Sequence, residues 1–293
     1  MKIKQSFSER VFDICNILFM CLLLAAILIP LLNILFSSLS NPMLVMKHKG
    51  MVLYPLGGID FNSYKAVARN PNILSGYMNT LFIVIVGTTI NLTLTVVAAY
   101  VLSRKNVMWG TAMTLFIVFT MYFSGGMIPF YLTVRSVGLD GSIWALIIPS
   151  ALSTYNLIIM RTAMAAIPDS MEESAKIDGA SHTRIIFSVM VPLAKATLAV
   201  ITLNYAVSHW NAWFNAMIFL RDKTKFPLQL ILKEILVQND TSMMTAGSSE
   251  DQAMIGETIK HATIVAVTIP ILCVYPFLQR YFVKGVMIGA VKG

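Results

Sequence analysis

Residues 167–195 have the sequence IPDSMEESAKIDGASHTRIIFSVMVPLAK and form a polar segment between two long apolar runs. The segment carries eight charged or titratable side chains: Asp169, Glu172, Glu173, Lys176, Asp178, His182, Arg184 and Lys195. Placing a charge in hydrocarbon is costly, so this segment must lie in water between helices that cross a membrane. A polar segment of this length, held between two spans, predicts a docking surface.

The composition of the chain is that of a membrane protein. Of its 293 residues, 57% are hydrophobic and 12% are charged, and the mean hydropathy is +0.73. Soluble domains carry about 25% charged residues. Apolar runs of about 20 residues recur, as in polytopic helical proteins, without the strict alternation of barrel strands. The net charge of +8 comes from basic residues scattered beside the apolar runs and does not indicate nucleic-acid binding.

Six apolar runs predict an all-α membrane protein with six transmembrane helices in a single domain, residues 1–293. The predicted spans are residues 11–37, 80–102, 110–133, 143–162, 191–219 and 262–282. An even number of spans places both termini on one side of the membrane. The short loop 103–109 carries Arg104 and Lys105 and no acidic residue, which favours the cytoplasm for this loop and for both termini.

Local signals within the polar segment predict two short helices. Residues 170–173 match the Ser-x-x-Glu capping box, which predicts a helix that begins near Met171. Asp178 and Gly179 form a turn signal that ends this helix, and a second helical run follows over residues 182–190. The spacing alone fits an ordinary amphipathic helix at the membrane interface equally well.

The chain lacks the motifs of the common enzyme classes. It contains no P-loop, no H-E-x-x-H, no G-x-S-x-G and no Cys–His cluster, and its four histidines are too far apart for a local metal motif. Cys15, Cys21 and Cys273 lie in apolar runs and are predicted to be buried free thiols. We therefore expect a protein that is not an enzyme and binds no metal or cofactor.

Several stretches resemble one family of transport proteins. Glu-Ser-Ala at residues 173–175, followed by Gly179 and Pro192, resembles the EAA motif in the permease subunits of ATP-binding-cassette (ABC) importers, with Ser174 in place of the usual first alanine. The C-terminal QRYFVKGVMIGAVKG resembles that of the smaller maltose-type sugar permease subunit. FSGGMIPFYL, NLIIMRTAM and HWNAWFNAMIFL resemble the subgroup that handles oligosaccharides or polysaccharide fragments. These similarities extend over most of the chain.

The resemblance implies a type I ABC importer permease fold, in which segment 168–190 contains a cytoplasmic coupling helix seated on an ATPase subunit. It assigns ATPase coupling to Glu173, Ser174, Ala175, Asp178, Gly179, Ala180 and Pro192. Glu173 would be the acidic contact, and Gly179 the turn that allows close approach. The resemblance assigns a second ATPase contact to the C-terminal residues Val291, Lys292 and Gly293.

The same resemblance implies the partners. The chain would pair with a second permease as a heterodimer in the bacterial cell membrane and form half of the pathway of an ATP-driven carbohydrate importer. Two ATPase subunits would bind ATP and Mg, so this chain would bind no cofactor. The outer loop 220–261 would face an extracytoplasmic sugar-binding protein.

A polar stripe in the fifth predicted span is a candidate sugar pathway. Asn204, Ser208, Asn211 and Asn215 are spaced four, three and four residues apart, which places them on one helical face. The candidate pathway residues are Asn204, Tyr205, Ser208, His209, Trp210, Asn211 and Asn215. Thr88, Asn91 and Thr95 form a weaker stripe in the second span. Hydrogen bonding between helices of the bundle explains both stripes equally simply.

Two other functions are compatible with a polytopic chain. An ion-coupled transporter typically uses carboxylates within its spans, and here only Asp13 lies at the margin of one. A membrane enzyme acting on lipid-linked sugars would need a catalytic constellation, which the spans lack. The sequence does not identify the sugar.

Overall fold

The computed structural model describes residues 6–238, 256–273 and 276, and this part of the chain is α-helical without a β-strand, which confirms the all-α prediction. The α-helices are α1 (Phe7–Ser38), α2 (Pro42–Lys47), α3 (Asn62–Arg69), α4 (Pro71–Ser103), α5 (Gly110–Tyr122), α6 (Met127–Ser136), α7 (Trp144–Ile147), α8 (Thr154–Ala165), α9 (Asp169–Ile177), α10 (His182–Ile185), α11 (Val191–Leu193), α12 (Lys195–Trp210), α13 (Phe214–Phe219), α14 (Leu228–Gln238) and α15 (Gly256–Cys273). A π-helical turn, Ile186–Met190, joins α10 to α11.

The chain divides into two compact units. The first comprises Met1–Pro71 and Glu234–Ile269. In it, the Ser63 hydroxyl donates a buried hydrogen bond to Thr258 Oγ1 at 2.9 Å, which ties α3 to α15. The hydroxyls of Ser38 and Tyr64 lie 2.7 Å apart and tie the end of α1 to α3.

The second unit, Asn72–Lys233 with Pro270–Gly293, contains the apolar core next to the polar segment. Its buried members come from α4, from α8, from the run that begins at α10 and from α12: Val96, Ala99, Tyr100, Leu102, Leu157, Met160, Met164, Ile185, Ile186, Met190, Ala194 and Ile201. This shared core holds the polar segment against the end of α4.

Three described helices are long and apolar enough to cross a membrane: α1, α4 and α15. Two bent pairs pass the same criterion together, α5 with α6 at 116° and the run His182–Leu193 with α12 at 91°. The described residues thus contain three candidate spans, or five if each bent pair is one span. The count of six stays a prediction.

The predicted third span is broken where the sequence is Ser124-Gly125-Gly126. α5 ends at Tyr122, and α6 begins at Met127. Gly126 has φ +84°, a conformation that favours glycine, and its N–H donates to Ser124 Oγ at 3.2 Å. Gly126 is the N-cap residue of α6, so its conformation turns the chain immediately before this helix begins.

The predicted fourth span is broken at Pro149. α7 ends at Ile147, and α8 begins at Thr154. Proline lacks an N–H and its ring clashes with the carbonyl of the preceding helical turn, so the helix cannot continue through it. Ser153 restarts the helix because its side chain accepts a hydrogen bond from the Asn156 N–H.

The three cysteines are free, as expected, but all three are exposed on this chain, so the prediction that they are buried is wrong. Two of them lie in α1, which buries only Ser37 and Ser38 at its last turn. An apolar run shows that a helix avoids water. It does not show whether the helix packs against protein or presents its surface to lipid or a partner.

Candidate functional site

The first helix of the polar segment, α9, begins at Asp169, with Pro168 in the N-cap position and no side-chain cap. The predicted capping box at residues 170–173 is therefore wrong, because Ser170 lies inside the first turn. Asp169 and Glu172 in this turn place negative charge at the positive end of the helix dipole.

The end of α9 confirms the predicted turn. The helix ends at Ile177, and Gly179 follows with φ +75°. The Gly179 N–H donates to the Lys176 carbonyl at 3.0 Å, and the Ala180 N–H donates to the Ala175 carbonyl at 2.9 Å. This pattern satisfies the last carbonyls of the helix and needs the left-handed conformation that glycine adopts without strain.

Glu172 attaches α9 to the rest of the second unit. Its side chain is buried and accepts hydrogen bonds from Arg104 Nη1 at 2.7 Å and from the Tyr100 hydroxyl at 3.0 Å. Lys176 Nζ lies 2.8 Å from Oε1, the oxygen that also accepts from Tyr100, whereas Arg104 binds Oε2. A buried carboxylate needs such partners because an unpaired charge there would be costly.

Arg104 extends this attachment to a third helix. Its Nη2 donates to the Met164 carbonyl in the last turn of α8 at 3.0 Å, and only 13% of its side chain is exposed. Lys105 adds an exposed ion pair with Asp169 at 2.9 Å. The ends of α4 and α8 and the start of α9 are thus joined through one guanidinium group.

The charges around α9 lower the pKa values of its two first-turn carboxyls. Burial acts to raise the pKa of Glu172, but the hydrogen bonds from Lys176 and Tyr100 and the charges of Arg104 and Lys176 outweigh it, so this pKa lies below its ordinary value. The hydrogen bond and charge of Lys105 lower the pKa of Asp169. Both groups are therefore ionised at neutral pH.

The predicted coupling residues lie mainly on the outer surface of the polar segment. Glu173, Ser174, Asp178, Gly179 and Pro192 are exposed, whereas Ala175 and Ala180 are half-buried. Glu173 forms no ion pair with any described residue, although it borders a cavity of about 700 Å³ together with Arg104 and Lys176. Val291, Lys292 and Gly293 lie outside the described residues.

The burial of Glu172 and its bonds to Arg104, Tyr100 and Lys176 were not predicted from the sequence. The helical period contains the signal, since residues 172 and 173 of one helix point about 100° apart. The Glu172 partners Tyr100 and Arg104 lie about 70 residues earlier, at the end of α4 and directly after it, so no residue near Glu172 in the sequence indicates these bonds.

A second cavity, of about 920 Å³, lies between α12 and the break before α8. It is lined by Ser150, Leu152, Ser153, Tyr155, Asn156, Leu203, Asn204, Tyr205, Val207, Ser208, His209 and Asn211. Five of the seven predicted pathway residues are among them. Trp210 and Asn215 are not, and Asn215 lies on α13 because α12 ends at Trp210, so the prediction of one continuous face is wrong for this residue.

Three of the candidate pathway side chains, one from the stripe and two beside it, form hydrogen bonds between helices. The hydroxyls of Tyr205 and Thr95 lie 2.8 Å apart, and His209 Nε2 lies 2.6 Å from Asn91 Oδ1. Asn204 Nδ2 donates to Asn156 Oδ1 at 3.1 Å. The alternative of bonding within the bundle is confirmed for these contacts.

Ser208 and Asn211 differ from these three because they are exposed in the cavity. The only hydrogen bond of the Asn211 side chain to a described residue is from Nδ2 to the Val207 carbonyl of its own helix, at 3.0 Å. These two side chains can therefore offer polar atoms to a solute.

The stripe in α4 supplies the partners of the stripe in α12. Asn91 and Thr95 are fully buried, and Gly87 lies one turn away. A Cβ atom on Gly87 would lie 2.6 Å from His209 Nε2, so the absence of a side chain there makes room for the imidazole ring. Glycine at this position is required by the close approach of the two helices.

Similarity to known proteins extends along almost the whole chain. No family model matches. The chain is 38% identical to Protein LplC of Bacillus subtilis over 284 residues, 97% of this chain and 96% of that protein. It is 37% identical over 290 residues to the polygalacturonan/rhamnogalacturonan transport system permease protein YtcP of the same organism, covering 97% of this chain and 99% of YtcP.

Among solved structures, the crystal structure of a bacterial ABC transporter involved in the import of the acidic polysaccharide alginate contains a chain that matches with a TM-score of 0.87 and 35% identity, over 96% of this chain and 100% of that chain. The chain belongs to the ABC importer permease family. This permease is therefore a membrane transport subunit and not an enzyme. The alternatives of an ion-coupled transporter and a lipid-linked sugar enzyme are excluded.

Proposed function

We propose that this permease imports oligosaccharides or polysaccharide fragments. The observation that carries the proposal is the cavity of about 920 Å³, whose lining combines Ser, Asn and Tyr side chains. Saccharides need many hydrogen-bonding partners and a ring surface, and Tyr155, 57% exposed, offers such a surface to the cavity. The polygalacturonan and alginate relatives support the same class of solute.

Uptake by the complete importer tests the substrate class. Radiolabelled oligogalacturonides, rhamnogalacturonan oligosaccharides, alginate oligosaccharides and arabino-oligosaccharides would be supplied to cells that express the importer. We expect ATP-dependent uptake of at least one of them. Absence of uptake of all four by an assembled, ATP-hydrolysing complex would contradict the proposal.

The functional assembly contains more than this chain. We infer a heterodimer with a second permease, two cytoplasmic ATPase subunits that bind ATP and Mg, and an extracytoplasmic sugar-binding protein that delivers the solute. One chain of the crystal structure of the bacterial alginate ABC transporter in complex with alginate pentasaccharide-bound periplasmic protein shares the fold, with a TM-score of 0.51 at 13% identity. Co-purification of a soluble ATPase with this permease would test the inference.

In this proposal the two neighbouring glutamates have different roles in coupling to the ATPase. Exposed Glu173 contacts the ATPase, together with Ser174, Ala175 and the turn at Gly179. Buried Glu172 keeps α9 attached to α4 and α8. Movement of α9 by the ATPase therefore reaches α4 and α8 directly, and both helices contribute to the walls of the second cavity or to the core behind them.

The proposed orientation in the bacterial cell membrane places both termini and the loop 103–109 in the cytoplasm. Single cysteines at positions 103 and 248, in a variant without the three native cysteines, would be treated in intact cells with an impermeant thiol reagent. We expect labelling at position 248 only. Labelling at position 103 would contradict this orientation and indicate the opposite one.

A further inference from the structure

Residues 148–153 are a non-helical stretch between α7 and α8, and residues 148, 149, 150 and 152 are exposed on this chain. The Asn91 side chain of α4 donates to the Ser150 carbonyl at 2.6 Å. Asn91 lies about 30 Å from the start of α4 and about 18 Å from its end at 1.5 Å per residue. Since α4 is one of the candidate spans, the stretch lies at the depth of the hydrocarbon core.

Non-helical backbone at this depth has two requirements. Its polar groups must be satisfied by protein, or it must line a cavity that admits water. Asn91 satisfies the Ser150 carbonyl, and the Tyr205 hydroxyl accepts from the Ser153 N–H at 3.0 Å. Each of these supporting side chains is itself bonded to a neighbour, Asn91 to His209 and Tyr205 to Thr95.

The stretch borders the cavity of about 920 Å³, and the Ser150 hydroxyl donates to the Leu146 and Ile147 carbonyls at 3.0 and 3.3 Å. Ser150, Leu152 and Ser153 line it, followed by Asn156 at the start of α8. The Leu152 N–H donates to no described residue. A held, partly unsatisfied backbone stretch beside hydroxyl and amide side chains can exchange hydrogen bonds with a solute.

The chemistry of the lining defines which solute groups fit. Among the described residues, the lining contains no Lys, Arg, Asp or Glu, and its one histidine is already bonded to Asn91. A carboxylate entering this cavity would find no cationic side chain to pair with. Saccharide hydroxyl groups would find donors and acceptors.

We propose that residues 150–153 with Asn156 form a saccharide subsite that binds hydroxyl groups and not carboxylates. This subsite rests on the proposed import of saccharides. If the substrate is acidic, its carboxylates are paired outside this cavity. Pro149 creates the subsite because it stops α7 and leaves the following backbone free of helical bonds.

Cysteine protection in the complete importer tests the subsite. Serine would replace the three native cysteines, which are free and exposed. Single cysteines would then replace Ser153, Ser208 on the opposite wall, and Leu157, which is fully buried. A small hydrophilic thiol reagent would be applied with and without an oligogalacturonide of the uptake panel.

We expect reaction at positions 153 and 208 and none at 157. A saccharide at ten times its Kd should slow both reactions by about tenfold, because about one site in eleven stays free. No reaction at 153, or equal rates with and without saccharide while 208 is protected, would overturn the subsite and leave the pathway intact. Absence of protection at both positions, together with absence of uptake, would overturn the proposed function itself.

A kinetic comparison gives an independent readout. Ser153→Gly removes the hydroxyl at little cost to the N-cap of α8, because glycine is nearly as good as serine at that position. This change should raise the half-saturating saccharide concentration about two- to tenfold, the effect of losing one hydrogen bond, with the maximal rate per complex unchanged. Thr162→Ala is the matched control, since that hydroxyl bonds to Ile158 of its own helix at 2.8 Å outside the cavity. Equal half-saturating concentrations in both variants would contradict the subsite.

Discussion

Two regions of the permease join α4 to other helices, and they use different chemistry. At the end of α4, Arg104 forms a buried ion pair with Glu172 of α9. Three turns earlier, Asn91 and Thr95 join α12 through neutral hydrogen bonds to His209 and Tyr205. Ion pairs occur where water borders the polar segment, and neutral groups occur at the depth of the membrane, where an unpaired charge would be most costly.

The difference predicts that the two regions fail differently. Removal of Arg104 leaves the buried Glu172 carboxylate with Lys176 as its remaining cationic partner, which destabilises the protein. Removal of a side chain that faces the cavity leaves the bundle bonded and affects the solute instead.

The largest expected effect follows Arg104→Ala. Glu172 would keep Lys176 and Tyr100 but lose its guanidinium partner, and α8 would lose the bond to the Met164 carbonyl, so the free energy of unfolding should fall by about 2–3 kcal/mol. Unfolding by SDS in mixed micelles measures this change. Lys105→Ala is the control, because its pair with Asp169 is exposed and should contribute about 0–1 kcal/mol. Equal losses in the two variants would refute the distinction.

Glu173→Lys should affect function and not stability. Glu173 is exposed and unpaired among the described residues, so the permease should fold normally, while transport per permease falls at least tenfold, as for loss of about 1.4 kcal/mol or more at a charged contact. Transport and ATPase co-purification would be measured on the same preparation. Glu9→Lys reverses a charge in α1 and also removes the capping-box bond from the Ser6 N–H, so it serves as the control for charge reversal and lost helix capping outside the polar segment. Normal transport by Glu173→Lys would remove Glu173 from the ATPase contact.

Asn211→Ala should have a smaller effect, confined to the cavity. Its side chain is exposed there and bonds only to its own helix among the described residues, so assembly with the ATPase should be unchanged. Transport at low saccharide concentration should fall about two- to tenfold, the effect of one lost hydrogen bond. Poor assembly with normal transport per assembled complex would instead assign Asn211 to the bundle.

The smallest effect is a pH dependence at the ion pair. The pKa of Glu172 in the folded protein lies below its ordinary 4.5, so its contribution to stability is complete above that pH and decreases as the pH falls through the folded pKa. Unfolding of the wild type should therefore become easier below about pH 4.5. Glu172→Gln should show a weaker pH dependence in the same range, and an identical pH profile would contradict this assignment.

Local signals in the sequence predicted the turn and both helical runs of the polar segment, but not the first residue of α9. The turn at Gly179 and the helical run after His182 could be predicted because glycine and Asp-Gly act through the backbone of their own neighbours. The break at Pro149 also had a local signal, the proline itself. The prediction missed it because the fourth span was drawn from its apolar residues alone. The start of α9 was misplaced by two residues because a capping box competes with a proline at the same boundary.

Long-range pairing could not be predicted in this way. Nothing near Glu172 indicates that Arg104 binds it, and nothing near His209 indicates Asn91. The sequence identified the polar residues of α12. Whether each of them faces the pathway or bonds within the bundle depended on partners in α4 and α8, which the sequence did not indicate. The end of α12 at Trp210 has no proline or glycine signal, so Asn215 was placed on the wrong helix.

The close approach of Gly87 to His209 restricts which substitutions the two positions can accept. Any side chain at position 87 would overlap the imidazole ring, so the two positions cannot vary independently. Growth of a Gly87→Ala strain on the transported saccharide should be impaired. Spontaneous revertants of that strain should carry compensating changes to a smaller residue at position 209, and a homologue with a bulkier residue at one position should have a smaller one at the other.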